Sequence, residues 1–293
     1  MSPELPQVGF VGLGNMGWLM AGNLARAGYP LVVRDADVER QRRFAAEHGA
    51  VAAESPEAFA AVQLVLTSLP DDSIVAQALL DEGIAAALPS GAVVVDMSSS
   101  NPTGTRALGE RLPEGVSLVD APVSGGVERA ATGTLSIMVG GDDEAAIERA
   151  RPLLEVLGER LFPTGPLGSG HALKALNNYL AAAAYAAGTE ALEIGARFGL
   201  EPRTLVDVVN ASTGRSFVSE VVLSEHVVTG RYETGFALRL LAKDVGIAAD
   251  LAAAAEVDAP TCAVVSQRWA EAAADLDPDA DHSEAHKRWW PVR

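Results

Sequence analysis

The chain has 293 residues, 48% of them hydrophobic, long enough for two domains and apolar enough for a sizeable core. Its 22 basic and 39 acidic residues leave a net charge of −17. That balance excludes a surface built for nucleic-acid phosphates and disfavours anionic membranes, so neither nucleic acid nor membrane is expected as a partner.

Up to about residue 165, strand and helix patterns alternate as in a parallel sheet. Val8–Val11 is a short apolar strand. It runs into Gly12-Leu13-Gly14-Asn15-Met16-Gly17, which opens a helix over residues 15–27 with Met16, Met20 and Leu24 on one face. A G-x-G-x-x-G turn between strand and helix points to a dinucleotide. Gly12 permits the tight turn, Gly14 lets the backbone approach a pyrophosphate, and Gly17 lets the helix pack closely on the strand. The N–H groups at the helix start face that anion.

A second strand, Leu31–Arg34, ends at Asp35, where the fingerprint places the acid for the adenosine ribose hydroxyls. A carboxylate there repels a 2′-phosphate, which argues for NAD over NADP; Arg34 weakens the argument, while Ala36 offers a phosphate nothing. A helix follows over Val38–His48, and Ser55-Pro56 reads as an N-cap with proline at the first helical position. Further strands are expected at residues 63–69, 92–97, 116–119, 135–139 and 160–162. Helices are expected from Asn101-Pro102 and over residues 142–157.

Residues 163–168 read as a hinge, and from Ser169 the strands stop. Ser169–Phe198 is a near-continuous helical pattern, followed by helices punctuated by Pro202, Gly214, Gly230 and Pro260. Cys262 reads as a small core residue. A lone cysteine, a short polar start and the lack of any run of ~18 apolar residues fit a cytoplasmic protein. The acidic run at residues 275–281 and the tail with His282 and His286 read as solvated; the histidine spacing could suit a metal, but none is expected. Trp289 and Trp290 read as a surface or subunit contact.

Three more segments carry chemistry. Asp120-Ala121-Pro122-Val123-Ser124-Gly125-Gly126 follows a strand and offers a hydroxyl and bare backbone N–H groups, suited to a carboxylate or to a plain turn. Residues 170–178 begin the long helix and place Lys174 and Asn178 four apart, on one face. Taken alone, Lys174 could be a snorkelling surface lysine. Leu241-Ala242-Lys243-Asp244 reads on its own as an exposed charge pair on a helix.

With the glycine turn, in this order and spacing, these segments resemble the β-hydroxyacid dehydrogenases, relatives of 3-hydroxyisobutyrate dehydrogenase and, more distantly, of 6-phosphogluconate dehydrogenase. The resemblance covers nearly the whole chain. It implies an α/β fold: an N-terminal Rossmann-type, doubly wound, mainly parallel sheet (residues 1–165) followed by an all-α substrate and dimerisation domain (residues 166–293).

The resemblance also implies roles. Lys174 is the general acid/base, Asn178 orients the substrate, and Ser124, Gly125 and Gly126 hold its carboxylate. Lys243, Leu69, Pro70 and Ser99 meet the cofactor; Ser99 replaces the commoner threonine but keeps a hydroxyl. Phe236 is an aromatic wall for the cofactor or a core residue. Arg215, in the 212–217 loop, is a candidate for a second anion on the substrate, a cofactor contact or a solvated residue. The implied reaction interconverts a short β-hydroxy acid (3-hydroxyisobutyrate-, serine- or glycerate-like) and its semialdehyde with NAD, in a homodimer or homotetramer. An imine reductase of similar build is the first alternative, opposed by Lys174. A non-catalytic NAD-binding sensor is the second, opposed by the retention of Lys174, Asn178 and Ser124.

Overall fold

A computed structural model describes residues 5–290. Two compact units divide the chain, Met1–Lys174 and Ala175–Arg293.

In the first unit nine strands form one sheet: β1 (Val8–Val11), β2 (Leu31–Arg34), β3 (Val51–Ala52), β4 (Leu64–Thr67), β5 (Val93–Asp96), β6 (Ser117–Asp120), β7 (Val123–Ser124), β8 (Leu135–Gly140) and β9 (Gly158–Gly165). Their order is β3-β2-β1-β4-β5-β6-β8-β7, with β9 paired to β8. β3 through β6 run parallel, while β8 is antiparallel to β6 and β7. The order reverses between β1 and β4, and a doubly wound sheet takes its ligand at the strand ends beside such a reversal.

β1, β4 and β5 are buried along their whole length, which explains their unbroken apolar sequence. Successive residues feed opposite layers: Phe10, Leu66 and Val95 pack into one core, Val11, Val65 and Val94 into the other. Helices cover both faces: α1 (Asn15–Arg26), α2 (Val38–His48), α3 (Pro102–Arg111) and α4 (Glu144–Leu157). Met20 and Leu24 of α1 are fully buried. The Asp37 carboxylate caps α2 by accepting from Arg40 N–H, and Gly49, at φ 67°, ends it. Asn101 caps α3 in the same manner.

Ser55 departs from expectation. Pro56–Phe59 is only a 3₁₀ turn, and Ser55 makes no side-chain cap.

The unit boundary falls inside α5 (Ser169–Phe198), the long helix expected from the sequence. The second unit continues with α6 (Pro202–Asn210), a π-helical segment Val218–Val227, α7 (Leu238–Ala254) and α8 (Pro260–Asp275). Tyr185, Val222, Leu241, Val245 and Trp269 form its core. Gly188 and Gly195 admit Leu223 and Leu205 against α5; an added methyl would lie 2.6 Å from each. Cys262 is buried, and burial raises its thiol pKa.

The tail is not solvated. Asp281 accepts from Thr234 Oγ1 (2.8 Å), Gly235 N–H (2.8 Å) and Ser283 N–H (2.9 Å), and its side chain is only 11% exposed. Burial works to raise its pKa, but the bonds from Ser283 and Thr234 outweigh it and hold the carboxyl below the usual range. His282 is buried beside Tyr185, Trp269 and Phe236, and His286 is half-buried. Burial lowers both imidazole pKa values. Trp289 packs on Tyr185 and Trp269 within the unit, with the Arg268 guanidinium 4.5 Å from its ring centre. Among the described residues no helix is long and apolar enough to cross a membrane, and no group of three or more His, Cys, Asp or Glu could hold a metal ion.

Candidate active site

The carboxyl ends of β1, β2, β4 and β5 carry Gly12, Asp35, Leu69, Pro70 and Ser99 together on one edge of the sheet. Gly12 sits at φ 95°, and a side chain there would strike the carbonyl oxygen of Ser68. A methyl on Gly17 would strike the carbonyl oxygen of Gly12, so the close approach of α1 to the turn requires glycine. Gly14 differs from both: a Cβ there would meet nothing within 4 Å, which leaves the open space a pyrophosphate needs.

Leu13, Asn15 and Met16 complete the turn. Leu13 N–H donates to Asp35 Oδ2 (2.6 Å), and Asp37 N–H to Asp35 Oδ1 (2.8 Å). Asp35 is thereby fixed at the end of β2 beside the glycine turn. Arg34, pointing the other way along the strand alternation, pairs with Glu82 at 2.6 Å. Leu69 N–H donates to Ser98 Oγ (2.9 Å); Pro70 is exposed and Ser99 half-buried. These groups fit a dinucleotide: an open glycine cradle with a carboxylate at the next strand end.

Ser124 ends β7, and Gly125 and Gly126 follow at φ 137° and 68°, angles that favour glycine. A side chain on Gly125 would lie 2.6 Å from Arg129, whereas beyond Gly126 there is open space. Both glycines are exposed, leaving bare backbone.

Lys174 is half-buried on α5, one turn before the buried Asn178. The Asn178 amide is held at both ends. Its Nδ2 donates to Asp244 Oδ2 at 2.6 Å, and its Oδ1 accepts from Asn177 at 3.2 Å. Asp244 is 2% exposed, and its other oxygen lies 3.3 Å from Lys243 Nζ. The exposed charge pair expected from sequence is therefore a buried carboxylate serving Asn178, with a half-buried lysine beside it. The signal was present in the text of α7: Asp244 lies three residues after Leu241 and one before Val245, on the helix's apolar face.

Phe236 packs against the second unit's core and edge-on to His282, 5.8 Å between ring centres. Arg215 is exposed and pairs with Glu220 at 3.3 Å, beside the 70%-exposed Phe217.

Comparison with known proteins bears on the same residues. Residues 7–165 match the family described as the NAD binding domain of 6-phosphogluconate dehydrogenase. Residues 168–289 match the one described as NAD-binding of NADP-dependent 3-hydroxyisobutyrate dehydrogenase. The chain belongs to the β-hydroxyacid dehydrogenase family.

It is 37% identical to 2-(hydroxymethyl)glutarate dehydrogenase of Eubacterium barkeri, covering 89% of this chain and 87% of that protein. To NAD-dependent L-serine dehydrogenase of Pseudomonas aeruginosa it is 36% identical, covering 87% of this chain and 88% of the relative. The solved structure of Mycobacterium tuberculosis 3-hydroxyisobutyrate dehydrogenase with L-serine superposes with a TM-score of 0.88 at 33% identity, covering 97% of this chain and 99% of that one. The chain is thus an oxidoreductase of the β-hydroxyacid dehydrogenase family, acting on the CH–OH group of a hydroxy acid with a nicotinamide cofactor. Family descriptions divide between NAD and NADP.

Proposed function

We propose that this dehydrogenase interconverts a short β-hydroxy acid (3-hydroxyisobutyrate-, serine- or glycerate-like) and its semialdehyde, with NAD as cofactor. Residues 12–17 and Asp35 hold the dinucleotide, with Leu69, Pro70, Ser99, Phe236 and Lys243 as further contacts. Ser124, Gly125 and Gly126 take the substrate carboxylate. The bound nicotinamide supplies the hydride acceptor. Lys174 Nζ accepts the hydroxyl proton during oxidation and returns it during reduction, a service of order a hundred- to ten-thousand-fold. Asn178, stiffened by Asp244, orients the reacting oxygen. Arg215 would reach a second anionic group on substrates that have one.

Residues 1–165 then form the dinucleotide domain and residues 166–293 the substrate and dimerisation domain. Leu176, Leu180, Ile194 and Phe198 of α5 are 44–83% exposed, which supports a homodimer or homotetramer. The chain's lone buried cysteine suits a cytoplasmic setting.

The observation that carries this reading is Lys174 one helical turn from an asparagine whose amide a buried carboxylate holds. Its test is a screen of 3-hydroxyisobutyrate, serine, glycerate and longer hydroxy acids against NAD and NADP. Turnover of at least one short β-hydroxy acid with preference for NAD is expected. Preference for NADP would contradict the role of Asp35, and no turnover of any would contradict the substrate class.

A further inference from the structure

Helix α5 opens without an acidic residue of its own in the first turn. Such a start leaves backbone N–H groups to be satisfied and a positive dipole end unopposed. Asp120, the last residue of β6 and wholly buried, supplies both needs from elsewhere in the sequence. Its Oδ1 accepts from Gly168 N–H (2.8 Å) and its Oδ2 from His171 N–H (2.9 Å).

The fit has no slack. A methyl on Gly170 would lie 2.8 Å from Asp120 Oδ2, and one on Gly140 2.5 Å from Asp120 Oδ1. The wholly buried His171 ring then locks the turn. Nδ1 is hydrogen-bonded to Thr105 Oγ1 of α3 at 2.8 Å, and Nε2 lies 3.7 Å from Asp96 Oδ2 at the end of β5. Asp96 is itself held by Thr67, Ser98 and Ser100.

Asp120 also begins the segment that reaches Ser124, Gly125 and Gly126, while Lys174 stands one turn after His171. We propose that Asp120 and His171 are positioning residues that build the substrate-carboxylate loop and the proton-transferring lysine on one buried anion, fixing the distance between them. This rests on the acid/base reading of Lys174. A displacement of about 1 Å at such a group can cost on the order of a hundredfold in rate.

Asp120→Asn is the sharpest probe, because the amide replaces one of two acceptors with a donor and one of the two N–H bonds must break. The variant is made in the wild-type and Lys174→Ala backgrounds. NADH affinity is read by fluorescence and kcat is normalised to bound NADH. In the wild-type background we expect kcat/KM to fall at least tenfold with NADH affinity within twofold. In the Lys174→Ala background the further loss should be at least severalfold smaller, since the amine is gone and only the carboxylate loop remains to be displaced. An equal loss in both backgrounds, or no loss in the wild type, overturns the proposal. The acid/base reading fails separately, if Lys174→Ala alone keeps most of the activity. Should Asp120→Asn not fold by circular dichroism, Thr105→Val, which removes the partner of His171 Nδ1, takes its place in the same cycle with the same expected pattern and the same overturning results.

Discussion

Residues 12–17, where β1 passes into α1, and residues 212–217, which lead into the π-helical segment, are both short connections in this enzyme, specified in opposite ways. In the first, backbone does the work: Gly12 and Gly17 are demanded by carbonyl oxygens, and Gly14 is demanded by nothing within the protein. In the second, the side chains carry the information and stand in solvent, with Arg215 64% and Phe217 70% exposed. A backbone-defined turn of this kind is built for one kind of ligand group, an anion at the helix start. An exposed pair such as Arg215 and Phe217 can be changed without disturbing the fold.

The contrast can be broken most severely at Gly17. Gly17→Ala pushes a methyl into the Gly12 carbonyl and should cost about 3 kcal/mol or more of stability, read by chemical denaturation. Gly14→Ala should leave stability within about 1 kcal/mol while weakening NADH binding at least tenfold by titration. If the two variants behave alike, Gly14 is a structural glycine and the open cradle is not a ligand site.

A smaller effect is expected with pH. Burial keeps His282 and His286 below 6.5 in the folded protein, so the folded state binds fewer protons than the unfolded chain as pH falls. Their contribution is whole above pH about 6.5 and is lost as pH drops below it. Thermal melts from pH 8 to pH 5.5 should show a falling Tm, shallower in His282→Gln. A flat Tm would show that these rings do not depend on their burial. Smallest of all, Arg215→Ala should leave stability within about 0.5 kcal/mol and raise KM only for hydroxy acids with a second anionic group. An equal rise for all substrates would reassign Arg215 to the cofactor or the shared carboxylate.

Much of the first unit was legible because its signals are local. The glycine turn joins β1 directly to α1, and Asp37 caps α2 through an N–H only three residues on. α5 was legible over its full length, from a near-continuous helical pattern rich in Ala and Leu. β3 and β7, two residues each, are too short to show any period, and only pairing with β2 and β8 defines them.

The site was legible as residue types in order, while the hidden parts depend on partners distant in sequence. Asp244 lies 66 residues from Asn178, and Asp120 lies 51 from the His171 N–H it accepts. The same holds for the tail. Asp281 and His282 look solvated in one dimension because Thr234, Tyr185 and Trp269, which bury them, come earlier in the chain.

The most direct measurement is kcat/KM of Lys174→Ala on the preferred hydroxy acid, beside its affinity for NADH. A fall of about 10² to 10⁴ with unchanged cofactor binding is expected if this amine carries the proton. Retention of more than about a tenth of wild-type kcat/KM would contradict that role and leave the proton transfer to another group.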